Sequence, residues 1–273
     1  YASQYPWAST NQTALSNYLP FLSLTNKFYD QRESKWVMAT QIDIGRLKSW
    51  LGTNNATLIK FPPGSETYPN IMYVADFRTI TNLHIIRLIN GLVIPTNGTS
   101  VATANGFTVA TPNPLYVWGH YNCPNLSSLG TTNTAAAFPA SLVCDALTIL
   151  SPNWQDATYG SATTALNSRP AANVTINAAI LAGAVYTTGT GVGNWSGGIQ
   201  NLPRLLEDWS GDTFTLNGSL VNLFPSTRAT TQFQNPGVYY NAPTRNISFN
   251  QNFKDPTKLP PGTPLVVSVM PVQ

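Results

Sequence analysis

Residues 106–154 read GFTVATPNPLYVWGHYNCPNLSSLGTTNTAAAFPASLVCDALTILSPNW, and this stretch decides the fold. It contains three short apolar runs, Phe107–Ala110, Leu115–Trp118 and 142–150, separated by segments rich in Pro, Asn, Gly and Thr. Runs of this length between turn formers read as short strands joined by tight corners. An apolar-Thr-apolar unit occurs twice here, as Phe107-Thr108-Val109 and Leu147-Thr148-Ile149.

The same unit returns downstream as Val174-Thr175-Ile176 and Phe214-Thr215-Leu216, giving intervals of 40, 27 and 40 residues. The last two extend to VTINAAILAG (174–183) and FTLNGSLVNL (214–223), each read as strand, Asn-small-small corner, strand. A coil of roughly twenty residues would fit two turns into each 40-residue interval. Each short strand has one apolar side too small to bury alone, whereas stacked coils bury these sides in a continuous core and leave Thr and Asn solvated outside. The fold expected is therefore mainly β: a right-handed parallel β-helix or solenoid with short helices and extended terminal arms. The alternative is a β-sandwich, since Asn90-Gly91 and Asn217-Gly218 are also good hairpin turns.

Outward from the centre, 35–42 reads as a strand and Asp43 as the cap of a short helix, 44–51, ended by Gly52. Ile44, Leu47 and Leu51 fall on one face of that helix. A turn is expected at Pro62-Pro63-Gly64, strands at 71–75 and 84–89, and a flexible Thr/Asn/Gly stretch at 96–105. The run IQNLPRLLEDW (199–209) predicts a second helix, with Asn201 as its cap and Leu202, Leu205, Leu206 and Trp209 as its stripe. Three segments result: an irregular arm (1–26), a β-rich body (27–240) and a Pro-rich C-terminal segment (241–273) whose residues 265–270 could form a last strand.

Only 25 of 273 residues are Lys, Arg, Asp or Glu, against about 25% in an ordinary domain, while Thr and Asn together number 60. Hydroxyls and amides, rather than charge, keep such a chain in solution, a composition suited to extracellular β-proteins and fibre subunits. The net charge of +3 is scattered without a basic cluster, which argues against a nucleic-acid partner. No apolar run approaches the ~20 residues of a membrane-spanning helix. Tyr1 opens in polar sequence, so the expectation is a processed chain or one whose anchor has been removed.

Candidate sites are sparse. Cys123 and Cys144 flank a Thr/Ala-rich loop and are either a disulfide or two buried thiols. His84 and His120 are the only histidines, and no metal-ligand spacing accompanies them, so structural roles and no catalytic metal or cofactor are expected. Asp145, inside an apolar run, and Asp208 are the acids a carbohydrate-cleaving β-helix would use. Glu207, Asp208 and Asp212 read as a surface salt-bridge group with Arg204. Trp118, Tyr121 and Trp195, with Trp154 and Trp209, could form a glycan-stacking platform or pack as core aromatics. Eight Asn-x-Ser/Thr sequons, including those at Asn173, Asn194 and Asn217, matter where the source glycosylates secreted protein.

Six stretches resemble secreted bacterial proteins associated with type IV pilus assembly, the PilX-like group. They are YDQRESKWVMATQIDIGRLKSWL (29–51), GFTVATPNPLYVWGHYN (106–122), PASLVCDALTILSPNWQDA (139–157), WSGGIQNLPRLLEDWSG (195–211), TFTLNGSLVNLFPS (213–226) and YYNAPTRNISFNQNFKDPTKLPPGTP (239–264). Together they cover most of residues 29–264. The resemblance implies a non-enzymatic protein of the cell surface or extracellular space, with no catalytic residues to carry over. The expected function is therefore structural, through head-to-tail self-assembly or contacts with other surface or pilus proteins, with a terminal arm contributing. A carbohydrate-active β-helix enzyme and a glycan-binding adhesin are the alternatives.

Overall fold

From β2 (Lys35–Asp43) to β11 (Thr213–Val221) successive strands alternate between two sheets, consistent with the alternation of apolar runs and turn segments. The computed structural model describes residues 19–58, 69–78, 82–98, 100–234 and 237–264. The turn expected at Pro62-Pro63-Gly64, the strand expected at 265–270 and residues 1–18 of the expected arm lie outside them.

The first sheet carries β1 (Leu22–Asp30), β2 (Lys35–Asp43), β4 (Leu83–Ile89), β6 (Leu115–Trp118), β8 (Leu147–Leu150) and β10 (Pro203–Leu205), side by side in that order. The second carries β3 (Ile71–Tyr73), β5 (Phe107–Ala110), β7 (Ala140–Cys144), β9 (Val174–Ala182), β11 (Thr213–Val221) and β12 (Thr244–Phe249). All pairings between these strands are parallel except the β1–β2 hairpin. The fold is mainly β, built on two parallel-rich sheets.

The register corrects the expected coil length. Val174 lies opposite Phe214, 40 residues on, in adjacent strands. One circuit through both sheets therefore takes 40 residues there, and 33 between Phe107 and Ala140. The irregular 27-residue interval has a simple cause: Leu147 belongs to the first sheet and Val174 to the second. The Asn-small-small segments are not corners either. β9 and β11 run straight through Asn177-Ala178-Ala179 and Asn217-Gly218-Ser219. At Gly218 a Cβ would sit 1.8 Å from the Ala178 carbonyl oxygen, so only glycine lets the two strands approach this closely.

Apolar residues of both sheets meet in one core, including Phe107, Val109, Leu142, Leu147, Ile149, Ile176 and Phe214. Helix α1 (Ile44–Leu58) adds Ile44, Leu47 and Leu51 to it. Asp43 starts α1 as expected, its Oδ1 accepting the Arg46 N–H at 2.9 Å. The helix runs past Gly52, where a side chain would meet open space and φ is not left-handed, so nothing there forces a stop. Asn90 adopts the positive φ (54°) expected of its turn.

The outward Thr and Asn side chains are not solvated, because loops lie over them. Gly130 N–H donates to Thr175 Oγ1 at 2.8 Å, and Thr108 Oγ1 donates to the Pro261 carbonyl at 2.7 Å. Beneath the same cover runs an amide ladder. Asn177 Nδ2 donates to the Asn122 carbonyl (2.9 Å), Asn217 Nδ2 to Asn177 Oδ1 (2.8 Å), and Ser248 Oγ to Asn217 Oδ1 (2.5 Å). Each buried amide is thus satisfied by the next circuit.

Beyond β2, the strands of the first sheet are buried on both faces. The β1–β2 hairpin and the segment after β8 cover its outer side, where Phe28, Val37, Tyr116, Leu150, Trp154 and Leu206 form a second core. The hairpin tip reaches across to β10: Arg204 Nη1 donates to Glu33 Oε1 at 2.5 Å, with both side chains buried. Residues 22–26, expected in an arm, therefore belong to β1. In the C-terminal segment, β12 extends the second sheet, and 250–264 returns along that sheet's outer face through Asn252 to Thr134 and Pro261 to Thr108.

The helix expected at 199–209 is absent. A short 3-10 turn spans Gly198–Gln200, and Pro203–Leu205 is an edge strand. Proline disfavours helix at Leu202 and is tolerated at a sheet edge, where it need not donate. Leu205 enters the inter-sheet core and Leu206 the outer one, an alternation of period two rather than a helical stripe.

Candidate functional site

The acids that sequence chemistry singles out are bound up in structure. Asp145 is buried, and its carboxylate accepts the backbone N–H groups of Thr227 (2.5 Å), Arg228 (3.2 Å) and Ala229 (3.0 Å) and the Thr227 hydroxyl (2.9 Å). It clamps the 226–229 loop against the end of the first sheet. Asp208 accepts from Ser210 N–H and Asn241 Nδ2, which hold its carboxyl below the ordinary range.

Glu207 is not on the surface. It is fully buried, and Ser151 donates to it from Oγ (2.6 Å) and N (2.7 Å). Arg204, its expected partner, is taken by Glu33. Burial pushes the Glu207 carboxyl up to about 7, the Ser151 bonds opposing. Because this exceeds the ordinary value of 4.5, the folded state binds a proton that the unfolded chain has released between pH 4.5 and 7. Stability is therefore expected to fall across that window as pH rises, by about 3 kcal/mol at ~1.4 kcal/mol per unit. Urea titrations at pH 5 and pH 7.5 read this directly. Glu207→Gln should flatten the difference, and an equal slope in the variant would assign it to other groups.

His84 Nδ1 lies 3.2 Å from Asp76 Oδ2. Burial alone would raise the Asp76 carboxyl, but Arg78 and Thr40 hold it well below the usual range. His84 Nε2 is buried without a hydrogen-bond partner, so among the described residues no hydroxyl or thiol stands where a nucleophile would complete an Asp–His pair. Among the described residues no group of three His, Cys, Asp or Glu converges to hold a metal.

The cysteines are two separate buried thiols rather than a disulfide. Cys123 Sγ lies near the carbonyls of Tyr121 and Thr175, while Cys144 ends β7 in the core. Burial pushes the Cys123 thiol up to about 12 and Cys144 higher, leaving both unreactive. The alternative of an aromatic platform from Trp118, Tyr121 and Trp195 does not assemble. Tyr121 is buried in the core, and Trp195 pairs with Phe233 at a separate bridge. Trp154 and Trp209 are core residues.

Trp195 is 40% exposed at its own bridge, whereas Trp118 borders a separate hollow. An elongated groove crosses the corners that leave the first sheet and enter the second. Two adjoining hollows of about 330 and 490 Å³ share His120 and Pro152. Trp118 sits over Arg87, whose guanidinium carbon lies 5.0 Å from the ring centroid, and Asp156 holds that guanidinium by two bonds of 2.6 and 2.8 Å. Thr175 N–H donates to His120 Nδ1 at 3.0 Å. That bond fixes the tautomer with the proton on Nε2, and burial lowers the His120 pKa, so the ring is neutral. At the far end Asn173 Oδ1 accepts from Thr213 N–H at 2.7 Å, which leaves its amide as a donor.

Sequence reasoning passed over Asn173 except as a sequon and did not single out Asp30 or Glu33. An Asp opening a tight turn (DQRES, 30–34) was the available signal for the latter. No protein-family model matches the chain, and no curated protein or solved structure matches it.

Proposed function

We propose that this chain is an extracellular or cell-surface structural protein, related to pilus-associated components, that works through contacts with copies of itself or with other surface proteins. The passage of strands between two parallel sheets supports reading the body as a parallel β-helix, right-handed by the general preference of parallel crossovers. Acid catalysis by Asp145 or Asp208 draws no support, because structural donors occupy both carboxylates.

The observation that carries this reading is the edge of β12. Among the described residues its backbone pairs only with β11, it has no proline, and Ile247 and Phe249 are exposed on it. An edge of this kind is a template for further strand pairing. β3 lies at the opposite edge of the same sheet, and every strand between is parallel, so a translated copy would bring β3 beside β12 in the same sense. Such a head-to-tail contact propagates rather than closing on itself unless it curves into a ring. The described parts of both terminal segments lie on the chain's own sheets.

Light scattering over a wide concentration range tests the proposal. The wild-type chain is expected to grow in mass with concentration, and Ile247→Lys, a charge of the kind that blocks natural edges, should hold it monomeric without lowering stability by more than about 0.5 kcal/mol. A wild-type protein that stays monomeric throughout would discard the self-contact.

A further inference from the structure

The groove over the corners has a composition that selects its ligand. Among the described residues its lining includes Trp118, His120, Pro152, Leu129, Asn173 and Thr213, and no Asp, Glu, Lys or Arg. An anion or cation entering it would lose water without gaining a countercharge. An apolar ligand would leave donors such as the His120 Nε2–H and the Asn173 amide unused. A neutral ligand with apolar faces and hydroxyl edges satisfies both.

The groove is also long and open. It passes the corners of β4, β6 and β8 and the start of β11, four successive circuits. At about 4.8 Å between neighbouring strands this spans roughly 14 Å. That length suits a chain of several rings better than a single small molecule. Its aromatic surface is pre-set, because Arg87, itself locked by Asp156 and by Gln41 at 2.9 Å, backs the Trp118 indole. Its donor is pre-set too, through the fixed His120 tautomer. Little ordering remains to be done on binding, which favours affinity.

We propose that this groove binds a neutral oligosaccharide, with a sugar face stacked on Trp118 and hydroxyl oxygens accepting from His120 Nε2–H and the Asn173 amide. The proposal is independent of self-association, since it involves the corners and not the β12 edge.

Titration calorimetry on the full chain with cellohexaose, chitohexaose and mannohexaose tests it, with hexagalacturonate as the anionic control. At least one neutral hexamer is expected to bind, and Trp118→Ala should weaken it tenfold or more. Asn173→Ala, at an exposed site, should weaken it severalfold. Because it also removes the acceptor for Thr213 N–H, its denaturant midpoint is measured alongside to separate binding from folding. Trp118→Phe should restore part of the affinity lost in Trp118→Ala. The proposal is overturned if no neutral hexamer binds at millimolar concentration, if hexagalacturonate binds more tightly than all three, or if Asn173→Ala and Trp118→Phe both leave binding at the wild-type level.

Discussion

Replacing Arg204 with Met is expected to destabilise the fold by about 3–5 kcal/mol, because it strands Glu33 as an uncompensated buried charge. Glu33 lies under the hairpin tip, where Arg204 Nη1 meets it at 2.5 Å and the Thr231 hydroxyl donates at 3.0 Å. The second Arg204 amine bonds the Ala229 carbonyl at 2.6 Å, so the substitution also leaves an acceptor bare. Around this pair are more buried polar groups. Asp30 accepts from Arg32 N–H and Glu33 N–H and is bonded to the Tyr116 hydroxyl, and burial raises its carboxyl, with Glu33 adding to the rise. A double change, Glu33→Met with Arg204→Met, should cost clearly less than the two single changes summed, since neither charge is then left alone. Denaturant midpoints of the four proteins measure this. A single Arg204→Met cost below about 1 kcal/mol would show that the pair is not dry.

Trp154→Ala is expected to cost a similar 3–5 kcal/mol, by leaving a large cavity in the outer core. Trp154 is 1% exposed and meets Phe28 edge-on at 5.5 Å and Tyr159 at 5.9 Å. Its Nε1–H donates to Asp156 Oδ1 at 2.8 Å, the same carboxylate that fixes Arg87 under Trp118. The substitution should therefore also loosen the groove's aromatic platform. Trp154→Phe keeps most of the volume and is expected to cost less than half as much. Equal losses in the two variants would place the effect in the lost hydrogen bond instead.

The β character was legible because Thr between two apolar residues marks period two, and four such units do form β5, β8, β9 and β11. The coil length was not, since nothing in LTI and VTI says that the two units belong to different sheets. The cap at Asp43 and the face Ile44, Leu47, Leu51 were readable because they are local. The run Leu202, Leu205, Leu206, Trp209 fits a helical stripe as well as it fits a strand. The distinction turns on whether the first sheet is wet outside, and a hairpin some 170 residues earlier keeps it dry. The same cover explains the acids. Glu207 reads as a surface group beside Asp208, yet it sits under a layer contributed from far along the chain. Groove residues were half visible: Trp118 and His120 stand out by type, but Asn173 and Pro152 join them only through the stacking of circuits.

The bond between Glu33 and Thr231 joins groups 198 residues apart. On a ribosome adding about 5–20 residues per second, roughly 10–40 s separate the emergence of the two. Throughout that interval the tip of the first hairpin has two acids and an arginine with nowhere dry to go, so it must wait in water while the later circuits are laid down. Parallel strands can add one beside another as they appear, but the hairpin can close over them only when the 226–231 loop arrives. This hairpin is thus made long before it can settle, and a chain stopped short of residue 231 would be left with its clasp open.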